Sequence, residues 1–393
     1  MYTLTTHESI EEIPALDWNR LVDPDTPFLR HELLLAMERH GCVGERLGWI
    51  PRHLALRAGS GALVAAAPCY LKFNSYGELV FDWAWADAHR RSGLHYYPKL
   101  VVACPYTPAT GPRILVGTGP DCAAQARALV RGAVATAERL GLSSLHWLFQ
   151  SERETELLES MGHLRRVGCQ FHWTNPGYGS FDAFLDTFTA EKRKKVKRER
   201  RRVEESGIRL RRVRGDEATE AQWAVFHRLY CDTFDRLGGI PTLSLPFFQE
   251  IGQTMGERLL LVFGYLGQEI VAAAFNLVGE RSLFGRHWGC SGDYHSLHFE
   301  ACYYQGLEHC IEQGLARFEP GAQGEHKVSR GFLPTATWSA HWIADPRLRT
   351  AIAGFLGRET RDMGAYLDEM SAHSPYRQAP DQPAAPPKWR AHP

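Results

Sequence analysis

The chain has no excess of either charge: its 393 residues carry 45 Lys+Arg against 45 Asp+Glu. That balance argues against the global basic surface by which a whole protein coats nucleic acid. No CxxC pair occurs, and the nine cysteines are scattered and odd in number. A disulfide framework is thereby excluded, and a reducing compartment fits. No apolar run approaches the roughly 20 residues that span a bilayer. The opening MYTLTTHESIEEIP has neither the basic nor the apolar region of a signal peptide. No HExxH pattern is present, and in GEHK the adjacent Glu325 and His326 would face opposite sides of a strand, so no metal site is expected. These absences predict a cytoplasmic protein without a transmembrane segment, long enough for two domains.

What is present alternates strand-like and helix-like segments, which predicts a mixed α/β (α+β) fold. One pattern occurs twice. GALVAAAPCYLKFNSYGELVFDWAW from Gly61 and GQEIVAAAFNLVGERSLFGRHWG from Gly267 each read as strand, short turn, strand, with a shared VAAA run. Helical periodicity follows each, over 122–141 and 299–314, closing at Gly141 and Gly314. This repetition suggests two copies of one α/β unit. Between them, 184–213 carries nine cations from Lys192 to Arg202 above a narrow seam of Phe188, Val196 and Val203, which predicts an exposed basic helix. Repulsion among such cations is relieved by a polyanion, with Lys194, Lys195 and Arg198 as its contacts. From Ser374 the chain is rich in proline and poor in large apolar residues, so a disordered tail is expected.

The densest chemistry lies in FEPGAQGEHKVSRG, 318–331. Acyl transfer to an amine needs a proton acceptor, a positive group for the developing oxyanion and an ordered acceptor. Lys327, entering a strand-like HKVS, offers the charge; Glu319, Glu325 and His326 offer proton acceptors, the choice among them open. Gln323 and Arg330 add substrate contacts. A surface loop of solvated charges is the competing reading. In HYYPKLVVACPYTPATGPRIL, 95–115, prolines hold Tyr97, Lys99, Thr107 and Arg113 on a stiff loop suited to an anionic acceptor. In FGRHWG, alternation sends Arg286 and Trp288 to one side of a strand, with Arg286 facing a cleft.

PYTPATGPRIL (105–115), the Lys/Arg helix before ESGIRL, and FEPGAQGEHKVSRGFLPT (318–335) resemble the FemAB-like branch of the GNAT acyltransferase superfamily, over about residues 25–365. The resemblance implies two tandem GNAT-like domains with chemistry in a cleft at their interface. It also implies direct attack of an amine on acyl-CoA or aminoacyl-tRNA as co-substrate, with no tightly bound cofactor. A late lysine in the second domain then stabilises the oxyanion, and Lys327 is the residue that matches. The expected boundaries are 1–183 (acceptor side), 184–210 (basic connecting helix), 211–372 (catalytic side) and 373–393 (tail). The sequence departs from the CoA pattern Q/R-x-x-G-x-G/A. Ile114 stands where Gln or Arg belongs, although Gly117 and Gly119 fit, and WGCSGDYHSLHFEAC in the second unit has no counterpart. The expected partners are a small-molecule or peptide amine acceptor and, through the basic helix, tRNA. The alternative is a non-enzymatic protein that binds RNA or an anionic surface on a degenerate acyltransferase scaffold.

Overall fold

The computed structural model describes residues 2–322 and 324–377. Gln323 and the proline-rich stretch 378–393 lie outside the described residues. The chain divides into two compact units, Met1–Gly168 with Thr337–Arg361 and Cys169–Ala336 with Asp362–Pro393. In place of the expected boundaries at 183 and 210, this division puts the basic helix inside the second unit.

In chain order the strands are β1 (Tyr2–His7), β2 (Trp49–Pro51), β3 (His53–Ala58), β4 (Leu63–Ala67), β5 (Cys69–Lys72), β6 (Lys99–Val102), β7 (Leu115–Val116) and β8 (Ser144–Leu148). They continue with β9 (Leu164–Thr174), β10 (Ile208–Arg214), β11 (Leu259–Leu266), β12 (Glu269–Val278), β13 (Ser282–Cys290), β14 (Arg317–Glu319) and β15 (Leu333–Ile343).

The first unit has two sheets. One is ordered β1-β3-β4-β7 and the other runs β15-β8-β6-β5-β2. The helix Cys122–Arg139 buries Ala126, Leu129, Val130, Ala133 and Ala137, the helical spacing of one apolar stripe. That stripe meets Leu54, Ala65, Leu100 and Trp147 in the unit's core. The expected hairpin after Gly61 is not formed as such. Pro68 lacks an N–H and separates β4 from β5, which pair in different sheets. The run expected as a second strand is a loop, and DWAW opens a helix, Trp83–Arg91.

In the second unit the order is β10-β11-β12-β13-β14-β9. The hairpin expected after Gly267 is present as β12 and β13. The helical run expected at 299–314 starts at Leu297 and passes through a π turn, Glu300–Tyr304, before Gln305–Gln313. The basic segment is shorter than expected: one helix ends at Asp186, the next runs Ala190–Glu205, and β10 starts at Ile208. Its buried residues are Val196, Glu199 and Val203. Val196 joins Phe184, Phe188, Phe318, Val328 and Phe332 in the unit's core. Residues 374–377, expected to be part of the tail, are held against the unit. The amide of Thr189 bonds Pro375 O, that of Arg377 bonds Thr187 O, and the Tyr376 hydroxyl donates to Gly331 O at 2.7 Å.

Candidate functional site

Strands β13 and β14 run parallel for three residue pairs, Ser282–Phe284 beside Arg317–Glu319, and then part. β13 continues to Cys290, whereas β14 stops at Glu319 and Pro320 turns the chain away. A bulge in the β12–β13 ladder, where Phe275 faces His287 and Asn276 faces Gly285, leaves Arg286 as the extra residue. Strict alternation is lost there, so Gly285, Arg286, His287 and Trp288 all border the gap. The gap is a cavity of about 100 Å³, also bordered by His298, Cys302 and Pro320. Gly285 allows the close approach: a Cβ there would lie 3.1 Å from Pro320 Cα and 3.4 Å from Asn276 Oδ1.

The segment HKVS is not a strand. Glu325–Arg330 is a 3₁₀ helix that ends at Gly331 in the left-handed region. A short helix suits this turn because Gly324, at φ +117°, reverses the chain so tightly that a Cβ would meet the His326 ring at 2.4 Å. The helix points Lys327 and Arg330 inward, each 2 % exposed. Lys327 Nζ donates to Gly321 O at 2.7 Å, one residue beyond the cavity wall at Pro320. Burial lowers its pKa from 10.5 to about 8. Its charge reaches both Cys302 and His298 of the cavity wall; burial, then His326 and Lys327, push His298 down to about 4.

Around Lys327 the expected site residues take distinct positions. Glu319 is buried at the end of β14, with His172 Nε2 at 3.8 Å and Arg317 Nε at 3.4 Å. His326 is exposed, its Nε2 2.9 Å from the Tyr303 hydroxyl. Partial burial, then Arg330 and Lys327, lower its pKa. Glu325 faces solvent and accepts from the Tyr366 hydroxyl at 2.8 Å. Arg330 is engaged internally. It makes a two-point ion pair with Glu199 of the basic helix, donates to His326 O at 2.6 Å, and lies 3.4 Å over the Phe299 ring.

Glu199, Phe299, Cys302 and Tyr303 were missed by sequence reasoning. Glu199 had a signal: it is the acid that falls in the buried register between Val196 and Val203. Cys302 and Tyr303 lie in a π turn, which no periodicity announces. On the basic helix, Lys195 Nζ bonds Ser329 Oγ at 3.1 Å, next to Arg330. Lys194 and Arg198 are exposed and form no ion pair among the described residues.

In the first unit, Lys99 is fully buried and donates to Glu78 Oε2 at 2.8 Å, to Ser75 Oγ at 3.1 Å and to Asp82. Arg113 is equally buried and caps the carbonyls of Ala109, Gly111 and Pro112. Both charges are thus met inside the unit. The hydroxyls of Tyr97 and Ser75 are 2.7 Å apart, and Thr107 donates to Pro105 O at 3.0 Å. Gly117 and Gly119 border a hollow of about 640 Å³ at the start of helix Cys122–Arg139. Asp23, Asp121 and Arg20 line it too. Among the described residues no group of three or more His, Cys, Asp or Glu is arranged to hold a metal ion, and no helix is long and apolar enough to cross a membrane.

Known proteins share this architecture. No curated protein matches the sequence. FemX, 11% identical, superposes with a TM-score of 0.55 over 90% of this chain and 100% of its own. The C-terminal DUF2156 domain of an Agrobacterium fabrum protein, assigned as a lysylphosphatidylglycerol synthetase, is 12% identical with a TM-score of 0.52 over 88% of this chain and 95% of its own. At such identity the likeness is one of fold. The family model FemAB-like, described as peptidoglycan biosynthesis/recognition, matches residues 9–378. With a match over nearly the whole chain, this protein belongs to the FemAB-like family of acyltransferases.

Proposed function

We propose that the second unit transfers a small acyl group from a carrier, acyl-CoA or aminoacyl-tRNA, to an amine of a small molecule or peptide. The carrying observation is the parting of β13 from β14 beside buried Lys327. The amine nitrogen attacks the acyl carbon, and the carbonyl oxygen takes the electron pair. The Lys327 ammonium stabilises that oxyanion, and a low-dielectric surrounding strengthens the effect. The proton released from the attacking nitrogen passes to His326 or to Glu319. Collapse of the intermediate expels the thiolate or ribose oxygen of the carrier, which is then protonated.

The cavity limits the acyl group. At about 100 Å³ it suits a small acyl head. Its lining includes Arg286 and, among the described residues, no carboxylate. Exposed Lys194 and Arg198 support docking of the carrier's phosphates, whichever carrier is used. All nine cysteines are free, in keeping with a cytoplasmic reaction. Incubation with acetyl-CoA or charged tRNA and an amine panel, read by mass spectrometry, tests the reading. Transfer that depends on Lys327 supports it, and equal transfer by Lys327→Met contradicts it.

A further inference from the structure

The first unit carries an ordered loop with two opposed faces, residues 73–83. Inward, Ser75, Glu78 and Asp82 are 4 %, 4 % and 3 % exposed, and all three are held by Lys99. Lys72 Nζ and Trp49 Nε1 donate to Tyr76 O at 2.9 and 3.1 Å, and Arg166 Nη1 donates to Phe81 O at 2.7 Å. Outward, Phe73, Tyr76, Leu79, Phe81 and Trp83 are 51, 69, 39, 57 and 43 % exposed. Among the described residues these are five of the thirteen large apolar side chains that stay exposed, gathered in eleven consecutive positions.

This arrangement is held against its own costs. Glu78 Oε1 and Asp82 Oδ1 are buried without a hydrogen-bond partner, which disfavours folding. Leu79 sits at φ +60°, a region that leucine rarely adopts. Turning both carboxylates inward leaves no acid on the outer face. Random exposure of apolar groups does not need three cations beneath it.

The outer face is too small for a stable protein partner, which takes roughly 20–30 residues a side. Its chemistry is that of a membrane interface. Tyr76 and Trp83, 5.1 Å apart edge to face, are side chains with an apolar body and a polar tip. The helix that Trp83 opens ends in Arg90 and Arg91, 78 and 69 % exposed in their side chains, sharing the single acid Asp87. One positive charge is left over for headgroups. We propose that the 73–83 loop seats this unit in the interfacial layer of an anionic lipid bilayer, with Phe73, Leu79 and Phe81 entering and Tyr76 and Trp83 at headgroup level.

The test is flotation of the full chain with vesicles of phosphatidylcholine alone and of phosphatidylcholine with phosphatidylglycerol, at low and high salt. The variant is Phe81→Ser/Trp83→Ser, whose exposed positions leave the fold intact by circular dichroism. Wild type is expected to float with the mixed vesicles. Binding that survives high salt is expected to fall about tenfold or more in the variant, because salt screens the basic helix but not apolar insertion. Three results overturn the proposal: no flotation with either vesicle, binding abolished by salt alone and indifferent to the variant, or self-association of the wild type that the variant removes, which assigns the face to a second copy.

Discussion

Arg330 donates to Glu199 at two points, Nη2 to Oε1 at 2.6 Å and Nε to Oε2 at 3.1 Å, and so ties the basic helix to the turn that carries Lys327. Both side chains are nearly sealed from solvent, at 3 and 8 % exposed, and the Tyr304 hydroxyl also donates to Glu199. The acid inside the basic helix is thus the counter-charge of Arg330 in the turn that carries Lys327.

Glu199→Ala is expected to lower stability by about 3–5 kcal/mol, since it strands a buried guanidinium. Glu199→Leu/Arg330→Met is expected to recover most of that loss, because no charge is left uncompensated. Urea denaturation of the single and double variants checks both. A double variant no better than the single variants would mean that the pair contributes by shape rather than charge.

Lys327 is expected to set the alkaline limb of the pH profile. Its pKa of about 8 keeps it mainly protonated below that pH, so kcat/KM is expected to fall as pH rises through 8. A profile that rises through 8 and levels off would make the neutral amine the active form, that is, a base. The measurement is kcat/KM for the acyl donor from pH 6 to 10, compared with Lys327→Arg, in which the alkaline fall is expected to disappear.

Burying that ammonium also costs stability, with a definite sign. The unfolded lysine keeps its ordinary pKa of 10.5, so at neutral pH both states are charged and the folded state bears the full penalty. Between about 8 and 10.5 the folded form binds fewer protons, and stability rises with pH. The shift corresponds to roughly 3 kcal/mol. Lys327→Met is therefore expected to be more stable than wild type at pH 7 by ~1–3 kcal/mol. The advantage shrinks as pH rises from 8 to 10.5, as read from denaturation midpoints.

The cavity between the parted strands is expected to select the acyl group by size. Gly285→Ala places a methyl between Asn276 and Pro320 and is expected to raise the KM for acetyl-CoA. Trp288→Ala opens the wall and is expected to admit longer acyl chains. Rates over acetyl, butyryl and octanoyl donors check both. An unchanged chain-length profile in both variants would remove the cavity from the donor site.

Charge reversal is expected to separate two sets of cations on the basic helix. Lys194→Glu/Arg198→Glu is expected to weaken binding of a phosphate-bearing carrier and to flatten its salt dependence, with the fold unchanged. Lys195→Glu is expected to disturb the turn that carries Lys327 as well, because Lys195 bonds Ser329. Carrier binding titrated against salt, beside thermal unfolding, distinguishes them.

The alternation of strands and helices was legible in the sequence wherever one period ran long enough. The stripe from Ala126 to Ala137 and the hairpin of β12 and β13 are of this kind. The echo at Gly61 misled because Pro68 sends matching apolar residues into two sheets, which local pattern does not encode. HKVS reads as a strand by alternation, yet the flanking Gly324 and Gly331 both adopt positive φ and close a short helix instead. Lys327 stood out in the sequence by its setting among glycines and acids. Its neighbours did not, since Tyr303 and Cys302 approach it from more than twenty positions away along the chain, and Arg330 of the same turn is paired with Glu199 from over a hundred. The burial of Lys99 and Arg113 was likewise invisible, because a charged residue on a proline-rich loop gives no sign of which way it turns.

The most direct measurement is acyl transfer by Lys327→Met beside wild type, with donor binding followed by calorimetry in both. The expected result is loss of transfer by about a hundredfold or more, with donor affinity and folding preserved. Transfer by the variant at the wild-type rate contradicts the assignment of Lys327 as the group that receives the oxyanion.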